Sequence, residues 1–204
     1  VDVNKSVAEF GVEGKNIRFG FNAVKSMGRP TITAIIEERT NNGDFHSMQD
    51  FITRMAGVIN KRTVEHLILA GAFDTFGNTR RGMMNVYERM IDSAVKQNKD
   101  AISGQMSLFD FVSEEDKQSL EMKVPDIQEF EKEDLLEREK EVLGVYVTGH
   151  PLDEYTGMWE KHISARSTDF LIDEETGQAK LMNGSKQTIG GLISNIKVIT
   201  TGSG

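Results

Sequence analysis

The chain has 204 residues and 38% hydrophobic content, enough for one large or two small domains with real cores, and its formal net charge of −8 argues against broad coating of nucleic acid. No apolar run approaches the ~18 residues of a membrane-spanning helix, so a transmembrane helix is excluded. Cysteine is absent, which excludes a disulfide scaffold, a thiolate zinc site and a cysteine nucleophile, and agrees with a reducing compartment.

In chain order, Ala8–Val12 and Asn16–Phe19 flank a Glu13-Gly14-Lys15 turn and predict a small hairpin or entry segment over residues 1–20. Phe21–Lys25 predicts a short helix, stopped by Ser26-Met27-Gly28-Arg29. Pro30 suits the first turn of a new helix over Thr31–Arg39, which buries Ile32, Ile35 and Ile36. Ser47 predicts an N-cap for Met48–Met55, and Asn60 one for Lys61–Ala70, whose apolar face is Val64, Leu67 and Ile68. Phe73 and Phe76 are expected in the core. A longer helix is predicted from Arg81 to about Lys96, with Met84, Tyr87, Met90, Ile91, Ala94 and Val95 on one stripe.

Residues 97–128 read as a linker, polar and acidic apart from the run QMSLFDF. Helix returns over Phe130–Leu143 and stops at Gly144, followed by the turn Gly149–Asp153. Ser185–Thr201 alternates enough to predict a strand, and one strand cannot make a domain. The chain opens VDVNKSV and closes TTGSG, so both ends are expected to be cuts from something larger.

Charge is uneven: residues 1–82 carry +2, residues 83–165 carry −10 and residues 166–204 are neutral. A compact phosphate site therefore fits only the first part. A short helix, a glycine hairpin and a second helix form the helix-hairpin-helix plan. Its hairpin exposes backbone N–H groups, and the following helix points its positive dipole end outward. Such a site holds a phosphate without reading bases. Gly28 would allow close approach, with Lys25 and Arg29 adding charge. The plain alternative is an ordinary αα-hairpin. A second copy is predicted from Asn60-Lys61-Arg62-Thr63 and the Gly71 turn, with Lys61, Arg62, Arg80 and Arg81 as cations, against the alternative of a solvated face.

In the linker, Leu108 and Phe109 form an apolar pair with no helical stripe to join, which needs a cover. A peptide anchor fits, with Leu108 and Phe109 in an apolar pocket and Gln105 on its polar rim. Catalytic patterns are poor. His46, His66, His150 and His162 lie on different elements with no metal-ligand spacing, and His150 beside Pro151 reads as a turn residue. The carboxylates of Glu129–Glu141 follow helix-surface spacing and are expected to be solvated.

Ile17–Gly28 (IRFGFNAVKSMG), Asn60–Asp74 (NKRTVEHLILAGAFD), Gln105–Asp110 (QMSLFD) and Glu137–Tyr155 (EREKEVLGVYVTGHPLDEY) stand in the order that resembles the alpha subunits of bacterial DNA polymerase III, the C-family replicases, of DnaE type. The resemblance implies a mostly α fold. Residues 1–20 would enter from the fingers, and 21–96 would form tandem helix-hairpin-helix motifs gripping double-stranded DNA. Residues 97–128 would be a linker with a clamp-binding motif, 129–165 a helical connector, and 166–204 the start of a truncated OB-fold. Gln105, Met106, Ser107, Leu108 and Phe109 would bind the beta sliding clamp. Ser26, Gly28, Arg29 and Thr31 would contact phosphate, although Ser26 stands where a first glycine is common. Further holoenzyme subunits are implied as partners, with no membrane and a cytoplasmic location at the bacterial nucleoid during replication.

The family's metal-binding carboxylates, which use Mg²⁺, lie in a palm that this chain lacks. No cofactor is therefore expected here, and the piece should be inert as an enzyme although its parent is a nucleotidyltransferase. The rival from another class is a non-catalytic helix-hairpin-helix scaffold of DNA repair or recombination. A hydrolase built on Glu129–Glu141 has only composition behind it.

Overall fold

A computed structural model describes residues 1–102, 122–174, 176–193 and 195–199. By contact the chain divides into two units, Val1–Val147 and Thr148–Gly204. The first opens with strands β1 (Gly11–Glu13) and β2 (Asn16–Arg18), paired antiparallel with Val12 opposite Ile17. The helices α1 (Arg29–Asn42), α2 (Met48–Arg54), α3 (Lys61–Leu69), α4 (Arg80–Met84), α5 (Tyr87–Ile102) and α6 (Lys132–Leu143) follow. Short 3₁₀ turns occupy Phe21–Ala23 and Asp74–Phe76.

The caps form where sequence chemistry places them. Ser47 Oγ accepts from Asp50 N at 3.0 Å, and Asn60 Oδ1 accepts from Thr63 N at 2.9 Å. Helix α6 ends on Gly144 in the left-handed region, φ 78°. Ile32, Ile35, Phe45, Phe51, Val64, Leu67, Ile68, Phe73 and Met90 share one core, with Phe51 stacked edge-on against both Phe45 and Phe73. The N-terminal segment belongs to it: Val3 is fully buried and its N–H donates to Ala72 O at 3.0 Å. A smaller cluster of Val24, Leu69, Ala70, Val142 and Leu143 joins α6 to α3 and to the turn before α1.

Three local expectations change. The single helix predicted from Arg81 is two, because Asn85 N and Val86 N bond back only three residues, to Gly82 O and Met83 O. Its second part runs on to Ile102, into the stretch read as linker; no Gly or Pro interrupts residues 83–103. The carboxylates expected in solvent are partly internal. Glu129 accepts from the N–H groups of Arg80 and Arg81 at 2.7 and 2.9 Å, capping α4 from a distant segment, and Glu139 is 1% exposed.

The second unit holds a 3₁₀ turn at Asp153–Tyr155, helix α7 (Thr156–His162) and a 3₁₀ turn at Ser167–Phe170. His150 closes the preceding turn: its N–H donates to Asp153 Oδ2 at 2.7 Å and its Nδ1 accepts from Leu152 N at 3.1 Å. The chain at Gly190 lies flat on Trp159 and Ile163, where a Cβ would come within 2.6 Å of Ile163 Cδ1. Clefts of about 600 and 490 Å³ meet at Trp159 and Gly190. The strand predicted over 185–201 is not formed among the described residues, and Ile193, Ile196, Val198 and Ile199 are exposed. A strand needs a ladder of partners for its backbone groups, and the pairing at Thr188, whose C=O accepts from Ser164 N and Ala165 N at 3.0 and 3.4 Å, is too short to make one.

Candidate nucleic-acid interface

The first hairpin runs from the Phe21–Ala23 turn through Val24–Gly28 into α1. Val24 is extended (φ −85°, ψ 122°), so the first arm is one 3₁₀ turn and not the helix to Lys25 predicted above. Ser26 has φ 65° and is the single non-glycine residue in the left-handed region among the described residues. It adopts the conformation a glycine would take at this corner, at a cost of about 1–2 kcal/mol.

Gly28 is the N-cap residue of α1, with φ −82° and no side-chain cap, and no acidic residue stands in the first turn. The first helical bond runs from Ile32 N to Gly28 O at 3.1 Å. Arg29 and Thr31 therefore keep backbone N–H groups without intrahelical acceptors, and Pro30 has none to satisfy. A Cβ at Gly28 would meet only Pro30 Cδ, at 3.7 Å. Nothing among the described residues requires glycine here, and Gly28 is exposed, so the open space faces outward.

Lys25, Ser26, Gly28 and Arg29 are exposed and Thr31 is half-buried. Neither Lys25 nor Arg29 forms an ion pair among the described residues. The Lys25 backbone is held on both sides: its N–H donates to Val142 O of α6 at 2.9 Å, and its C=O accepts from His66 Nδ1 of α3 at 2.7 Å. Arg62 is exposed one turn before His66 and so shares the face of α3 that meets this hairpin.

The second predicted copy is arranged differently. Gly71 (φ 74°) is required internally, because a Cβ there would run into the Arg80 guanidinium and lie 2.7 Å from Asp74 Oδ2. Arg80 has only 5% of its side chain exposed. It donates through Nε and Nη2 to Asp74, through Nη1 to Leu69 O at 2.9 Å, and lies 3.6 Å from Glu139. Burial works against its charge, but the bonds and charge of Asp74, with Glu139, outweigh that and hold its pKa above the ordinary value. Lys61 spans to Glu88 and Asp92, each at 3.1 Å, and those bonds raise its pKa while spending its charge on the protein's own surface.

The αα-hairpin between α2 and α3 turns at Gly57, φ 94°, with open space at its Cβ position. Sequence reasoning passed over Gly57, whose signal was an isolated glycine between two capped helices. It also missed His66, whose partner lies 41 residues away. Gln105, Met106, Ser107, Leu108 and Phe109 lie outside the described residues. Among the described residues no group of three or more His, Asp or Glu could hold a metal ion, and no helix is long and apolar enough to cross a membrane.

Residues 1–83 match the family model described as a helix-hairpin-helix motif. The chain is 32% identical over 201 residues to the DNA polymerase III subunit alpha of Borreliella burgdorferi, covering 98% of this chain and 17% of that protein. It is 34% identical over 189 residues to that of Chlamydia pneumoniae, covering 85% and 15%. With that of Vibrio cholerae it shares 32% identity over 205 residues, covering 100% and 17%. The chain thus spans about one sixth of the length of the relatives it matches.

Proposed function

We propose that this chain, homologous along its length to a segment of the bacterial DNA polymerase III alpha subunit, holds double-stranded DNA by its phosphate backbone behind the replicative active site. The observation that carries the reading is the start of α1: an exposed glycine with outward space, an uncapped helix end and the cations Lys25 and Arg29, which form no ion pair among the described residues. An anion fits there by hydrogen bonding and by the dipole. Backbone contacts of this kind set position without reading sequence, which suits a protein that must translocate.

In this reading Lys25, Ser26, Gly28, Arg29 and Thr31 make the main contact, and Arg62 extends it. Lys61 and Gly71 contribute less, since their charge and space are used internally. Gln105–Phe109 tethers the polymerase to the beta sliding clamp, where effective concentration lets a weak peptide affinity prevent loss from DNA. Residues 166–204 are the start of an OB-fold, and the exposed apolar residues of 189–199 are surface that further chain would cover. Nucleotidyl transfer and its metals belong to the rest of the parent polypeptide, with other holoenzyme subunits as its partners.

Two assays test this. Labelled duplexes of two unrelated sequences should bind with equal affinity, and Lys25→Ala/Arg29→Ala should weaken both alike, by about tenfold or more. Immobilised clamp should bind the chain, and Leu108→Ala/Phe109→Ala should abolish that while leaving DNA binding intact. Strong preference for one duplex sequence would overturn the backbone reading. Clamp binding indifferent to the double substitution would overturn the tether.

A further inference from the structure

We propose that His66 is a positioning residue for the phosphate contact, holding the Lys25–Ser26 peptide so that the Ser26 N–H points outward as a donor. The inference rests on the backbone-binding reading above and deepens it. A carbonyl oxygen can only accept, so the 2.7 Å contact places a proton on His66 Nδ1, donated to Lys25 O. That carbonyl and the N–H of Ser26 belong to one planar trans peptide unit and point in opposite directions. Anchoring the carbonyl on α3 therefore aims the Ser26 N–H away from α3. Among the described residues no acceptor pairs with that N–H.

Two further observations converge on the same peptide. Ser26 is in the left-handed region without being glycine, a conformation that persists only where the surroundings over-determine it. The other side of Lys25 is tied as well, its N–H to Val142 O at 2.9 Å. The hairpin is thus fixed from two helices at once. Among the described residues His66 is the only side chain in that arrangement, the α6 contact being backbone to backbone. A histidine that bears on no catalytic group acquires a role in presenting the donor set of Ser26, Arg29 and Thr31.

The test uses the full chain with His66→Ala, His66→Asn, whose Nδ2 falls near the Nδ1 position, and Lys25→Ala, measuring duplex Kd and its salt dependence. His66→Ala should weaken binding about tenfold with an unchanged salt slope, because a donor is mis-aimed and no cation is lost. His66→Asn should recover most of the affinity, and Lys25→Ala should lower both affinity and slope. Wild-type affinity in His66→Ala, with Lys25→Ala weakened, would overturn the positioning role and leave the DNA reading standing. A slope reduced by His66→Ala would overturn it too, by making His66 itself a phosphate contact. Absence of duplex binding by the wild type would remove both readings.

Discussion

Arg80 meets Asp74 through two guanidinium nitrogens, Nε to Oδ1 at 3.0 Å and Nη2 to Oδ2 at 2.7 Å, over the only space a side chain at Gly71 could occupy. The fork geometry suits a carboxylate held edge to edge. It turns what reads in sequence as a phosphate-binding glycine turn with nearby cations into an internal brace. The two glycine turns that the sequence offers as phosphate sites thus answer to different causes, Gly71 to its own neighbours and Gly28 to open space.

That contrast is measurable. Gly71→Ala puts a Cβ into the Arg80–Asp74 pair at a positive φ and is expected to cost about 3 kcal/mol or more of stability in a denaturant melt. Gly28→Ala should cost less than about 1 kcal/mol, yet weaken duplex binding about tenfold by blocking the phosphate's approach. Equal stability losses in the two variants would contradict the distinction.

Arg80→Ala removes the buried guanidinium that pairs with Asp74, bonds Leu69 O and lies 3.6 Å from the buried Glu139, and we expect about 3–5 kcal/mol of destabilisation by thermal or chemical unfolding. The wild-type charge is spent internally, so the salt dependence of DNA binding by the folded fraction should not change. A loss below about 1 kcal/mol would mean that the brace is dispensable.

Arg54 closes the junction between α1 and α2. It donates to Glu38 Oε1 at 2.9 Å and to Gly43 O at 2.8 Å, and its guanidinium lies 4.4 Å from the centre of the Phe45 ring. The Arg54 bond, joined by one from Asn42, lowers the Glu38 pKa. A lowered carboxylate pKa contributes stability above its ordinary value and loses it as pH falls through the folded value. Arg54→Lys cannot reproduce the planar fork. It is expected to cost about 1–2 kcal/mol near neutral pH and to reduce the loss of stability on acidification below about pH 4.5. An unchanged acid limb would remove Glu38 from the account.

Tyr87 is buried in the core on α5, and burial, followed by the charges of Glu65 and Glu88, pushes its pKa up to about 12. Below about pH 10 the phenol is neutral in both folded and unfolded chains, so it adds no pH dependence. Between about pH 10 and 12 the unfolded chain releases the proton first, and stability falls as pH rises. Tyr87→Phe should flatten that part of the stability profile relative to the wild type. Parallel profiles for the two proteins would contradict the assignment.

Much of the helical scaffold is legible locally. Ser47, Asn60 and Gly144 announce helix ends because caps are short-range chemistry, and Val64, Leu67 and Ile68 announce a face because burial follows the helical period. Long-range partners were not legible. Glu129 caps α4 across 49 residues, and His66 reaches Lys25 across 41; nothing in the spacing of either residue marks its partner. The split at Asn85–Val86 escaped because the apolar stripe continues through it. Ser26 was readable as a departure from glycine, but only the backbone shows that the corner keeps the glycine conformation regardless. The strand over 185–201 was over-read, since alternation reports which side chains would be covered and not whether a partner strand is there to cover them.

The central claim, phosphate capture at the start of α1, is tested most directly by the salt dependence of duplex affinity for the wild type and for Lys25→Ala/Arg29→Ala. Each lost phosphate contact should reduce the magnitude of the slope of log K against log salt by about 0.9, so the double variant should be shallower by roughly 1–2 on two unrelated duplex sequences. An identical slope in the two proteins, with the variant still folded, would place the DNA contact elsewhere and contradict the account.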